Sequence, residues 1–327
     1  MPRRRVKHRR VPRQRSGQGS YPIPPRVWSD QVDIGADTPL WLAARAIMSV
    51  RRKEFFRCWL QLRKGFDPEP IHDLRVASRR FREGLDLLAP CYPAKSLDRV
   101  SRRVKGVTRL LGDVRNTDEA ISYFSSLAGK LDGPAVDVLA TLRDSLCQER
   151  EHEAERLRSA LDSLSVKVLR PSFEKSLNNP LLFSLPQGGI DPFATIGSFA
   201  RQALDERLRL VRELLPKARN EADCAAQHQL RIAIKHFRYR LELLSFLMGR
   251  GAAEAIANLK QYQDLTGWLH DRDVFADLVR RWGFPPDMEQ HLLSVIAAER
   301  HGIFGQFRQL LTEYPLETLD EQPRRAL

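Results

Sequence analysis

Ile71–Leu88 reads IHDLRVASRRFREGLDLL, and Gln227–Leu244 reads QHQLRIAIKHFRYRLELL. At a constant shift of 156 residues His72 meets His228, Arg75 meets Arg231, Arg79 meets Lys235 and Arg82 meets Arg238. Leu74, Ala77, Phe81, Leu85 and Leu88 meet Leu230, Ala233, Phe237, Leu241 and Leu244 in the same register. At about 100° per residue the four polar positions of each copy fall within roughly 80° of one another, so one helix face gathers a histidine and three cations. The apolar residues lie opposite, as a core-facing stripe does. An ordinary solvated face mixes signs through Glu–Lys pairs one turn apart. Here the first three turns of the face hold no acid, and Glu83, Asp86 and Glu242 come only towards the C-terminal ends. Cations packed together repel unless an anion lies among them, so the pattern, written twice, predicts a polyanion ligand.

Outward from these two stretches the chain reads as helix after helix. Thr38-Pro39 marks a helix start with Pro in the first turn, and a helix over Leu40–Arg63 carries Arg45 and Arg51. Gly65 and Asp67-Pro68 break it before the His72 helix. A helix over Ser96–Leu111 carries Arg103, Lys105 and Arg109, Gly112 is expected to end it, and the turn Gly112–Asp118 leads into a short helix reaching Leu127. Gly133-Pro134 opens a long helix to about Leu164, and the proline-rich Pro171–Pro192 reads as a linker. The order then repeats: Phe193–Leu215 matches the first helix, with Arg201 and Arg207 answering Arg45 and Arg51, and the His228 helix follows. A helix over Ala253–Leu265 with Lys260 comes next, then Gly267–Asp273 in the place of Gly112–Asp118, then a helix over Asp287–Glu313. Arg300 answers Arg150 in the last helices of the two halves. The expectation is an all-α protein of two pseudo-two-fold-related bundles, with a basic central channel or groove, and not a solenoid. Its boundaries are a disordered basic tail over 1–36, a first half over 37–170, a linker over 171–190, a second half over 191–315 and a C-terminal tail over 316–327.

Composition bounds the function classes. A chain of 327 residues that is 42% hydrophobic can bury a sizeable core. No apolar run reaches the length of a membrane span, and no apolar stretch follows the N-terminal arginines to make a signal peptide. Cys58, Cys91, Cys147 and Cys224 are scattered without a CxxC pair, which points to reduced thiols and a cytoplasmic protein rather than a disulfide frame or metal site. The net charge of +13 is concentrated: residues 1–26 hold nine Lys and Arg and no acid, leaving +4 for the remainder. Such a segment is a disordered tail able to contact nucleic acid weakly.

The two histidine–arginine helices, HDLRVASRRFR and HQLRIAIKHFRYR, each followed by an LGxxRDxD-like turn, resemble the CHAD family, the conserved-histidine α-helical domain. The resemblance covers roughly Pro39 to Thr312, and the chain stands without the CYTH domain often fused to CHAD. It implies two symmetric helical bundles around a basic channel. It also implies binding of inorganic polyphosphate without catalysis or cofactor, and association with polyphosphate granules. The positions carried over are His72, Arg75, Arg79, Arg82, His228, Arg231, Lys235 and Arg238. The chain departs from the pattern at Lys235, Asn116 and His236, where the two halves lose their equivalence.

The chemistry fits that implication. A polyphosphate chain offers only regularly spaced oxyanions, so its receptor needs forked Arg donors and Lys point charges at the helix-turn spacing of about 5.4 Å. Arg45, Arg51, Arg103, Lys105, Arg201, Arg207, Lys260, Arg150 and Arg300 extend the candidate track. His72 and His228 suit either phosphate contact or a bond that fixes the basic face, while Asp118 and Asp273 are expected to cap helices and hold arginines. Two other classes compete. His72-Asp73 and His270-Asp271 match the dipeptide of metal-dependent HD phosphohydrolases, but a divalent ion needs several converging ligands, and Asp73 becomes Gln229 in the second copy. An RNA or DNA binder wants aromatic stacking platforms, and Phe81, Phe237, Trp268 and Phe307 fall on core faces, leaving Tyr239 outside.

Overall fold

The computed structural model describes residues 33–129, 134–181, 191–249 and 251–318; the N-terminal basic run of residues 1–26, residues 182–190 of the expected linker and residues 319–327 lie outside them. The described residues fold as α1 (Leu40–Leu62), α2 (Pro68–Leu87), α3 (Ala94–Ala128), α4 (Pro134–Ser163), α5 (Val166–Leu177), α6 (Ile196–Ala218), α7 (Cys224–Leu244), α8 (Gly251–Trp282) and α9 (Pro286–Glu313). No sheet forms among them. A lone antiparallel bridge joins Pro39 to Thr195.

Helices α1–α4 run 23, 20, 35 and 30 residues, and α6–α9 run 23, 21, 32 and 28. In each set the first packs on the second, the second on the third and the third on the fourth. The sets join at three places, the third being α3 against α8. The N-termini of α1 and α6 bond reciprocally: Leu40 N donates to Ala194 O at 2.8 Å and Ile196 N to Thr38 O at 2.9 Å. These two bonds exchange under the 156-residue shift. The approach is close enough that a Cβ on Gly197 would lie 3.1 Å from the Ala36 carbonyl oxygen and Cβ, so glycine is what the joint requires. The second junction is α2 against α7, which packs the two histidine–arginine helices together.

One core runs through both sets, with Phe55, Phe56, Trp59, Phe81 and Phe173 joining α1, α2 and α5 through ring contacts of 5.4–6.2 Å. Each such ring taken out of water contributes roughly 1.5–3 kcal/mol. A second cluster lies where the C-terminal parts of α3 and α8 meet, with Phe124 and Phe275 buried and the Tyr123 and Phe275 rings stacked at 4.4 Å.

Several expected boundaries give way. Gly112 and Gly267 end no helix: α3 and α8 run through both, and the expected turns are helical. A single glycine costs about 1 kcal/mol in a helix, and packing on neighbours on both sides outweighs that. Asp118 and Asp273 therefore lie inside helices and cap nothing. The stretch read as linker from Pro171 begins inside α5, which continues to Leu177. Ile34, placed in the tail, is buried in the core. At the other end Leu316 is buried and Glu317 Oε1 takes a hydrogen bond from Arg219 Nη2 at 2.7 Å. No described helix is long and apolar enough to cross a membrane.

Candidate functional site

The acids at the C-terminal ends of α2 and α7 lock the two helices together. Glu83, 3% exposed, accepts from Arg240 Nε at 3.0 Å and lies 2.7 Å from His236 Nδ1. Asp86 Oδ2 accepts from Arg240 Nη2 at 3.0 Å and from Arg207 Nη2 of α6 at 2.8 Å. Burial alone would push the Glu83 carboxyl up, but His236 and Arg240 outweigh it and hold it below its ordinary 4.5. Gly84 permits this contact, since a Cβ there would stand 3.1 Å from Met48 Sδ and 3.9 Å from Leu243.

With their ends locked, α2 and α7 direct the rest of their basic faces into one cavity of about 890 Å³, walled by α3 and α8. Arg75, Arg79 and Arg82 enter from α2, Arg231 and Lys235 from α7, Lys105 and Arg109 from α3, and Arg207 from α6. These eight cations face five lining carboxylates, but Glu83 and Asp86 are engaged by Arg240, His236 and Arg207, and Glu119 pairs with Arg115. Arg75, Arg79, Arg82, Arg231 and Lys235 make no ion pair among the described residues. Arg79 Nη1 reaches only the Tyr239 hydroxyl, at 3.5 Å. The Nε groups of Arg82, Arg207 and Arg231 are buried without a hydrogen-bond partner, each a donor whose desolvation costs about 1–3 kcal/mol.

Their mutual repulsion shows in their acidity. Burial first, then Arg79, Arg231, Arg82 and Arg75, pulls the Lys235 ammonium from 10.5 down to about 8. Burial, with Arg79 and Arg115 behind it, brings Arg75 to about 10, still charged at neutral pH. Arg82 and Arg231 are lowered too, burial again being the largest cause. At one end of the cavity His270 drops to about 4 through burial, Arg231 and His228, its ring 4.3 Å from that of His228. Burial raises the Asp271 carboxyl beside it, against the pull of Arg231. This interior favours negative charge arriving from outside.

Of the residues singled out by sequence, Arg75, Arg79, Arg82, Arg231, Lys235, Lys105 and Arg207 line the cavity. The others do not. Arg238 is buried with its guanidinium on Glu242 and Gln263 and over the Tyr239 ring, and Arg51 is buried beside Glu54 at 2.8 Å. Arg45, Arg103 and Arg201 are exposed elsewhere, as is His72. Lys260 is held by Asp264 at 2.6 Å. Arg150 binds Asp118 at 3.2 Å and Arg300 binds Asp273 at 2.7 Å, so those aspartates hold arginines as expected. His228 backs onto His270 rather than entering the cavity. The candidate track drawn from sequence left out Arg109, which follows Lys105 by one turn, and Tyr239, and took up His270 and Asp271 only as an HD dipeptide. The expected places of two aromatics are reversed: Tyr239 is 7% exposed and Trp268 is 49% exposed.

The family model for the CHAD domain matches residues 46–280. Among solved structures, the CHAD domain from the plant Ricinus communis is 20% identical with a TM-score of 0.57, covering 90% of this chain and 94% of that one. PptA from Streptomyces chartreusis is 14% identical with a TM-score of 0.62, covering 84% of this chain and 99% of that one. Both likenesses concern the fold. No curated protein matches.

Proposed function

The chain belongs to the CHAD domain family, a family associated with polyphosphate binding in general, and from that premise we propose that its groove binds inorganic polyphosphate without transforming it. The observation that carries this reading is the convergence of five unpaired cations, from two helices of one pattern, on a single cavity. Forked guanidinium groups match tetrahedral oxyanions two bonds at a time, and a partly desolvated setting strengthens each contact. Arg75, Arg79, Arg82 and Arg231 would grip successive phosphates, and Lys235 would add a point charge between the helices. Three of the cavity's five carboxylates, Glu83, Asp86 and Glu119, are engaged by arginines, which supports holding over hydrolysis. Docking on polyphosphate granules in the cytoplasm follows as the cellular role of such a grip.

The test is displacement of labelled long-chain polyphosphate, at fixed salt, by unlabelled polyphosphate, RNA or tripolyphosphate. Polyphosphate is expected to compete far better than RNA of equal charge. Arg75→Ala/Arg79→Ala/Arg231→Ala should lose at least a hundredfold in affinity. RNA competing equally, with the triple variant binding as before, would remove the groove from the function.

A further inference from the structure

The outer face of α3 carries cations that the groove leaves unused. At about 100° per residue, Lys105 and Arg109 lie within roughly 40° of each other on the groove side. Arg102 follows about 20° further round, and Arg99 and Arg103 complete an arc of roughly 160° from Lys105. Leu97, Val100, Val104, Val107 and Leu111 fill the remaining side and are buried. All five cations are exposed. None makes an ion pair among the described residues; Arg102 Nε touches only the Asp98 carbonyl, at 3.4 Å. Asp98 is the one acid within the Lys105–Arg109 part of the arc, at the cavity wall; beyond it Arg102, Arg99 and Arg103 carry the positive surface over the rim to the outside of the helix.

The opposite wall has no such path. At the shift of 155 residues that aligns α8 with α3, Arg99, Arg102, Arg103 and Arg109 meet Glu254, Ala257, Asn258 and Asp264. The one cation kept, Lys260, is neutralised by Asp264 at 2.6 Å. Repetition built two walls, and only one carries charge outward.

We propose that the outer face of α3 is an exit ramp for a polyphosphate chain longer than the groove, so that the protein discriminates chain length and the chain leaves on the α3 side. This rests on the groove reading above. A chain that ends inside the cavity never meets Arg99, Arg102 or Arg103. A longer one exchanges its counterions for them along about 15 Å of helix between Arg99 and Arg109, at about 1.5 Å per residue.

Arg99→Gln/Arg102→Gln/Arg103→Gln in the full chain alters only exposed side chains on a helix that tolerates glutamine. The variant and the unaltered protein are titrated with tripolyphosphate, long-chain polyphosphate and RNA over a salt series. Long-chain affinity should fall at least tenfold, and its salt slope should flatten by about 2, three charges at roughly 0.7 each, with tripolyphosphate unchanged. Unaltered long-chain affinity, or an equal loss for both lengths, overturns the ramp while leaving the groove standing. A loss confined to RNA also overturns it and assigns the face to nucleic acid. Failure of the unaltered protein to bind either polyphosphate sinks the groove reading, and the ramp with it.

Discussion

Lys235 is the residue at which the groove becomes sensitive to pH. Its ammonium is pulled from 10.5 to about 8 by burial and four arginines, so in the free protein the charged form is disfavoured. The folded state then binds fewer protons than the unfolded one between about 8 and 10.5, and stability of the free protein rises with pH across that window. On the proposed function, a bound polyphosphate chain would reverse the balance by stabilising the ammonium. Binding near pH 8.5 should therefore take up a proton, and affinity should fall as pH climbs through about 8. Calorimetry in buffers of different ionisation enthalpy measures the uptake. Lys235→Arg should abolish it, because a guanidinium stays charged throughout. Affinity independent of pH between 7 and 9.5 would exclude this role for Lys235. The lysine itself was legible as a departure from the arginine of the other copy. Its shifted acidity was not, since that depends on side chains of two helices 156 residues apart. Arg238 shows the converse: helical periodicity put it on the basic face, but Glu242 one turn on and Gln263 of α8 draw it inward.

At the scale of elements, the clamp between α2 and α7 decides whether the cations share a space at all. Glu83 and Arg240 are 3% and 4% exposed, so removing Glu83 leaves the buried Arg240 with only the more exposed Asp86 and Glu206 to pair it. Glu83→Ala should lower unfolding free energy by about 3–5 kcal/mol, read by urea titration. Arg240→Leu placed on top should restore part of it, and a loss below about 1 kcal/mol would show the pair to be incidental. The carboxyl is held below 4.5, so its contribution is present above that pH and is lost as pH falls through the folded value. These acids were visible in sequence as the place where the basic pattern stops, but not as a lock, because a wheel diagram shows one helix without its neighbour. The helices were legible wherever apolar spacing was regular. They were misread at Gly112 and Gly267, where local propensity argued for a break and packing on both flanking helices kept α3 and α8 whole.

For the whole molecule, the recurring histidine–arginine stretch led to the expectation of two similar bundles, and α1–α4 and α6–α9 have similar lengths and the same packing order. The contact between α3 and α8 at one end of the groove was not legible: Tyr123 of α3 stacks on Phe275 of α8, and nothing in the repeat pairs those positions. The groove keeps cations near one another without a ligand, so the free protein carries repulsion that any screening relieves. Two responses of opposite sign follow. Added monovalent salt should raise the Tm of the free protein, since exposed repulsion decays over about 10 Å at 0.1 M, yet it should weaken polyphosphate binding through counterion competition. At low salt, polyphosphate at 100-fold above Kd should stabilise the fold by about 2.7 kcal/mol, a Tm rise of roughly 5 °C. In Arg75→Ala/Arg79→Ala/Arg231→Ala both responses should shrink together, the free protein becoming less salt-dependent and the polyphosphate-induced rise vanishing. A variant that lost the ligand response but kept the salt response would separate the repelling cations from the binding cations, and the single-groove account would fail.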